Sequence, residues 1–166
     1  MKRLILVRHA KSDWSEAGLP DRDRKLNARG RDAADRIGRW LAADNLVPDQ
    51  VLCSSAARCR ETWARISAAL SGAAEASFED RLYLAEEAEM LDILHGASGD
   101  CLMILGHNPG IGAFARDLRQ DPPPLHDTFH KYPTGAVTVM DFNIDNWKDA
   151  ELGGGRLNVY RTPSDL

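Results

Sequence analysis

Two arginines and two histidines follow three short apolar runs, and together they could handle a phosphoryl group. Arg8 and His9 follow the run at 4–7 (LILV); Ser54, Ser55 and, a few residues on, Arg58 follow 50–53 (QVLC); Gly106, His107 and Asn108 follow 101–105 (CLMIL). A guanidinium presents paired N–H donors that fit phosphate oxygens. A neutral imidazole nitrogen is a competent nucleophile near neutral pH when its other nitrogen is held as a donor. Each of these residues alone is an ordinary loop residue. Their joint placement after three separate runs points to an anion site completed by backbone N–H groups at helix starts.

The elements that must position them can be read from spacing. The run at 4–7 has the uninterrupted apolar character of a strand buried on both faces of a parallel sheet, as do 50–53 and 101–105. Asn27 is placed to cap a helix whose positions Ala33, Ile37, Trp40 and Leu41 share a face, with an end before Pro48. Cys59, Trp63, Ile66 and Leu70 repeat that spacing; a loop at 71–76 and a short strand near Ser77 follow. A helix at 86–94 closes on His95 and Gly96, and Pro109 suits the first turn of another that reaches Leu118. The segment 122–133 holds too many prolines for sheet or helix interior. Two late strands at 136–142 and 157–161, turned by the glycines at 153–155, should pair antiparallel. The alternation predicts one domain over 1–166, a three-layer α/β/α sandwich with a mainly parallel sheet. In such sheets ligands bind beyond the carboxyl ends of the strands, which is where the three loops open.

Composition excludes several alternatives. With 43% apolar and 28% charged residues the chain can bury a sizeable core. Twenty-one Lys and Arg against 25 Asp and Glu leave a net charge of −4, so no general basic field exists for nucleic acid or an anionic membrane. The apolar run before Arg8 is shorter than a secretory core, and none later approaches a membrane span. Cys53, Cys59 and Cys101 form no CxxC pair and are expected as buried thiols of a cytoplasmic protein.

The sequence holds no GxxxxGK[ST] loop, and 106–112 (GHNPGIG) is not a dinucleotide fingerprint. Metal binding is the rival reading for the histidines. His126 and His130 stand four apart, yet the intervening residues do not make HExxH, so no metal and no other cofactor is expected. His95 reads as a cap.

The segments 6–12 (LVRHAKS), 54–62 (SSAARCRET) and 106–110 (GHNPG) resemble the RHG, SPxxRAxxT and GHxxx motifs of the histidine phosphatase superfamily, which includes the phosphoglycerate mutases. The stretches 21–30 (DRDRKLNARG), 131–137 (KYPTGAV) and the ending RTPSDL are similar to the short SixA-type phosphohistidine phosphatases, so the resemblance spans nearly the whole chain. It implies a phosphoglycerate mutase-like fold, His9 as a nucleophile that becomes phosphorylated, Arg8 and Arg58 as phosphate clamps, and His107 as a second imidazole, taken as an imidazolium. Ser12 and Asn108 would be neighbours of the phosphate. Ser55 and Lys25 stand where the motifs often have proline, which leaves Arg24 without a firm role.

The implied activity is metal-independent hydrolysis of phosphohistidine on a protein. The alternatives are a small-molecule phosphomonoesterase and an idle phosphate-binding module. One departure bears on the choice. Mutase-like relatives carry a DxRLxE stretch whose Glu protonates a departing alkoxide, and the matching 80–84 (DRLYL) has Leu84 in its place. Glu86, Glu87 or Glu89 could supply the acid only by reaching in from the next helix.

Overall fold

A computed structural model describes all 166 residues. Six strands form one sheet in the order β3-β2-β4-β1-β5-β6. They are β1 (Lys2–Arg8), β2 (Gln50–Ser54), β3 (Ala76–Glu79), β4 (Cys101–Gly106), β5 (Val137–Phe142) and β6 (Arg156–Arg161). The first four run parallel; β5 lies antiparallel to β1, and β6 antiparallel to β5. The helices are α1 (Ala28–Ala43), α2 (Ala57–Ser67), α3 (Glu87–His95) and α4 (Gly110–Leu118).

The apolar strands are buried on both faces because helices cover both. Leu4 and Leu6 of β1, with Leu102 and Ile104 of β4, join a core with Met90 and Ile93 of α3 and Phe114 and Leu118 of α4. The alternate residues Ile5, Val7, Met103 and Leu105 join a second core with Ile37 and Leu41 of α1 and Trp63 and Ile66 of α2. Each side is one face of the pleat, and the three layers match the sequence expectation.

Asn27 caps α1 as its type suggests, its Oδ1 accepting from the Gly30 N–H at 2.8 Å. Gly30 is a packing requirement: a Cβ there would lie 2.1 Å from the Lys11 carbonyl oxygen, so only glycine lets α1 press on the loop after β1. Gly110 plays the same part for α4, where a Cβ would meet the Ala85 carbonyl oxygen at 1.8 Å. Two details depart from the reading of spacing: α2 stops at Ser67, leaving Leu70 buried beyond it, and Cys101 is only half-buried. No helix is long and apolar enough to cross a membrane.

Candidate active site

Strand register brings the two histidines together. Parallel pairing sets Arg8 of β1 opposite Gly106 of β4, so the next residues, His9 and His107, leave adjacent strands side by side. Their rings are 5.4 Å apart, centroid to centroid. The His9 Nδ1 lies 2.7 Å from the Ala10 carbonyl oxygen. A carbonyl only accepts, so Nδ1 carries the proton and Nε2 keeps the free lone pair. Ala10 is itself held: its N–H donates to Thr62 Oγ1 at 3.1 Å, and the Thr62 hydroxyl donates to the Arg58 carbonyl at 2.7 Å. A buried threonine of α2 thus holds the residue whose carbonyl sets the tautomer of His9.

Arg58, in the first turn of α2, is buried. Its Nη1 donates to the Asp21 carbonyl at 2.8 Å and its Nη2 to Asp21 Oδ2 at 3.0 Å. The Tyr83 hydroxyl donates to the same Oδ2 at 2.5 Å. The Tyr83 hydrogen bond and then Arg58 hold the Asp21 carboxyl below its ordinary range, so it is ionised at neutral pH. Arg8 donates through Nη1 to the Tyr132 carbonyl at 3.0 Å, and its buried Nε has no protein partner.

The resting charge of His107 differs from the imidazolium expected against a phosphoryl group. Its Nε2 is 2.7 Å from Ser54 Oγ, and Arg58 Nη2 is 3.3 Å from its Nδ1. Arginine can only donate, so Nδ1 is unprotonated and Nε2–H donates to Ser54. Burial, then the His9 and Arg58 neighbours, lower its pKa to about 3, so the residue is a neutral imidazole in the resting site and not an imidazolium. Burial foremost, with Arg58 and Arg8, lowers His9 to about 4.

These shifts carry a stability signature. With both folded values below the unfolded value of about 6.5, the unfolded chain binds more protons between that value and about 4 for His9 or about 3 for His107. Stability is therefore lost as pH falls through that window, by up to about 1.4 kcal/mol per pH unit for each histidine. Urea midpoints measured between pH 6.5 and 4.5 should fall less steeply in the H9N/H107N double variant than in the wild type. Equal slopes would mean that neither histidine is buried neutral.

The four residues open on a cavity of about 470 Å³, further lined by Lys11, Ser12, Trp14, Asp21, Leu84, Asn108 and Thr134. Ser12 accepts from Trp14 Nε1 at 3.0 Å, which leaves its own hydroxyl proton free to donate. Asn108 lines the cavity, yet its side chain is not a phosphate donor. Its amide nitrogen donates to the Lys131 and Tyr132 carbonyls and its Oδ1 accepts from the Gly112 N–H, so the side chain staples the loop and has no donor left for a phosphate.

Asp21 is the only carboxylate among the lining residues, and the exposed Leu84 occupies the wall. The glutamates of the next helix lie elsewhere: Glu87 packs against Asp117, Glu89 pairs with Arg81 at 2.7 Å, and Glu86 is exposed outside the cavity. Arg24 is buried behind the site, stacked 4.2 Å over Trp14. His126 bonds Asp165, His130 is exposed, and no group of three or more His, Cys, Asp or Glu could hold a metal ion.

Sequence reasoning set Ser54 in the loop after β2 without a role, and missed Asp21, Tyr83 and Thr62 as parts of the site. Asp21 and Thr62 stand inside the motif stretches 21–30 and 54–62, so a signal existed for both. Tyr83 stands inside the matching stretch 80–84, but its partner Asp21 is 62 residues away, so the pairing itself had no local signal. Chemically the assembly offers a nitrogen nucleophile, two guanidiniums and a neutral imidazole around a space open to solvent.

Residues 4–83 match the profile of the histidine phosphatase superfamily (branch 1), a span with Arg8, His9 and Arg58. The uncharacterized protein Rv1276c of Mycobacterium tuberculosis is 32% identical over 163 residues, which cover 95% of this chain and 99% of that protein. SixA from Agrobacterium tumefaciens is 28% identical with a TM-score of 0.80, covering 98% of both chains. SixA from Nakamurella multipartitia is also 28% identical, with a TM-score of 0.83 over 98% of this chain and 96% of that one. The fold is phosphoglycerate mutase-like.

Proposed function

Because the chain belongs to the histidine phosphatase superfamily, we propose that it is a phosphatase that hydrolyses the N–P bond of phosphohistidine on a protein, with His9 as nucleophile and without a metal. The full-length likeness to SixA supports a phosphatase. The observation that carries the substrate class is the lack of a proton-donating carboxyl beside His9: Leu84 stands in the wall, and Asp21 is held ionised. An alkoxide needs a proton to leave, whereas an imidazole leaves as a weak base.

In the first step the His9 Nε2 lone pair attacks phosphorus, the substrate N–P bond breaks, and its electron pair stays on the substrate imidazole, which takes a proton from solvent or leaves already protonated. In the second step water attacks phospho-His9; its proton passes to solvent, the P–Nε2 bond pair returns to His9, and orthophosphate departs. Arg8 and Arg58 face the charge that spreads over the equatorial oxygens. A dianion beside His107 favours its protonated form, so Nδ1 gains a proton to donate when substrate is bound. The whole chain, 1–166, is the unit that does this. The cysteines are free, which fits a reducing cytoplasm.

Hydrolysis of phosphoramidate and of a phosphohistidine peptide should be competitively inhibited by orthovanadate and indifferent to EDTA. Arg58→Ala should lower kcat/KM by roughly 10²–10³-fold through loss of one preorganised contact. Activity lost to EDTA and restored by zinc would replace this reading with a metallo-phosphatase; vanadate binding without turnover would leave only a phosphate-binding module.

A further inference from the structure

A second cleft of about 340 Å³ adjoins the first, and the two share Lys11 and Thr134 as walls. Its other charged walls are Arg29, Asp32 and Arg36. Asp32 and Arg36 satisfy each other at 2.9 Å, and Arg36 also donates to the Pro163 and Leu166 backbone oxygens at 2.6 and 3.3 Å. Lys11 and Arg29 are exposed, and neither side chain makes a hydrogen bond or ion pair with the protein. The lone carboxylate of the cleft is therefore neutralised and two cations are unspent, which makes its field positive. Their spacing is fixed by the backbone: the Asn27 N–H donates to the Lys11 carbonyl at 3.0 Å, and Gly30 lets the first turn of α1, which carries Arg29, press on that carbonyl.

We propose that this cleft is a substrate subsite that takes a carboxylate-bearing segment beside the phosphorylated histidine, with Lys11 and Arg29 pairing with an Asp or Glu a few residues away. The proposal rests on the phosphohistidine reading above. A cleft of this volume is roughly 9 Å across, the span of about three extended residues, so a chain whose phosphohistidine sits at His9 reaches it through the wall shared at Lys11. Thr134 adds a hydroxyl that makes no side-chain hydrogen bond of its own at that junction. A free phosphate monoester fills only the first cavity and gains nothing from the second.

The test compares phosphohistidine peptides that differ only in carrying Glu, Gln or Lys at the flanking positions. Each rate is divided by the same enzyme's rate on phosphoramidate, which also shows that the variant is folded. Exposed ion pairs are individually weak, so Glu should exceed Lys by about tenfold, mainly in KM and less at high salt. Arg29→Glu should reverse the preference and Arg29→Gln should reduce it. A wild type indifferent to the flank, or a preference that survives Arg29→Glu, overturns the subsite while the substrate reading stands. Phosphoramidate cleaved with every peptide left intact overturns the substrate reading and the subsite together.

Discussion

Replacing His9 by alanine is expected to cut turnover by roughly 10⁴–10⁶-fold, the scale seen when a nucleophile that acts in every step is removed. The expectation rests on geometry. The His9 Nδ1–H is committed to the Ala10 carbonyl, which leaves Nε2 as the free lone pair of a residue that is neutral at physiological pH. His107, 5.4 Å away, cannot substitute, because Arg58 donates to its Nδ1 and its Nε2 faces Ser54. The wild type, quenched after brief reaction with a labelled donor, should carry phosphate in an acid-labile, alkali-stable bond, and His9→Ala should carry none. Removing a buried imidazole that resists protonation should not unfold the protein, which circular dichroism would confirm. Normal turnover by His9→Ala would remove His9 from the mechanism.

The second large effect is a discrimination among leaving groups. Phosphohistidine and phosphoramidate should be cleaved about 10²–10⁴-fold faster than glycerol or sugar phosphates, the usual contribution of a general acid that this cavity lacks. None of the glutamates lines the cavity: Glu86 is exposed outside it, Glu87 faces Asp117 and Glu89 is paired with Arg81, while Asp21 is ionised between Tyr83 and Arg58. The complementary experiment is Leu84→Glu, which sets a carboxyl on the cavity wall and should raise alkyl phosphate hydrolysis toward that of the better donors. Comparable kcat/KM on an alkyl phosphate in the wild type, lost on changing Glu86, Glu87 or Glu89 to Gln, would make this a small-molecule phosphomonoesterase.

The skeleton of this site was legible in the sequence because it depends on strand ends. Apolar runs buried on both faces leave a clear pattern, and the residues just after them must emerge at one edge of a parallel sheet; Arg8, His9, Arg58 and His107 were found that way. The contacts that set their electrical state were not legible. Whether His107 is charged depends on how deeply it is buried and on which Arg58 nitrogen faces its ring, and neither is written in local spacing. Asn108 was placed near the phosphate by the motif resemblance alone, and the carbonyls that consume its side-chain donors lie 23 and 24 residues further on. The loop at 122–133 gave no hint that it holds Tyr132, fully buried with its hydroxyl on the Leu6 carbonyl of the central strand.

The pairing of Arg8 with Gly106 joins residues nearly a hundred positions apart, and β5 closes on the other side of β1 from still further along the chain. Contacts between such distant residues form late, because the entropy of closing the intervening loop is spent before any strand bond offsets it. A nascent chain that has emerged only through α2 carries the nucleophile and both clamps, but neither the second imidazole nor the neighbouring strand that fixes their spacing. Phosphatase activity thus arises with the native sheet and not before it, and in a refolding mixture the rate of turnover counts native molecules.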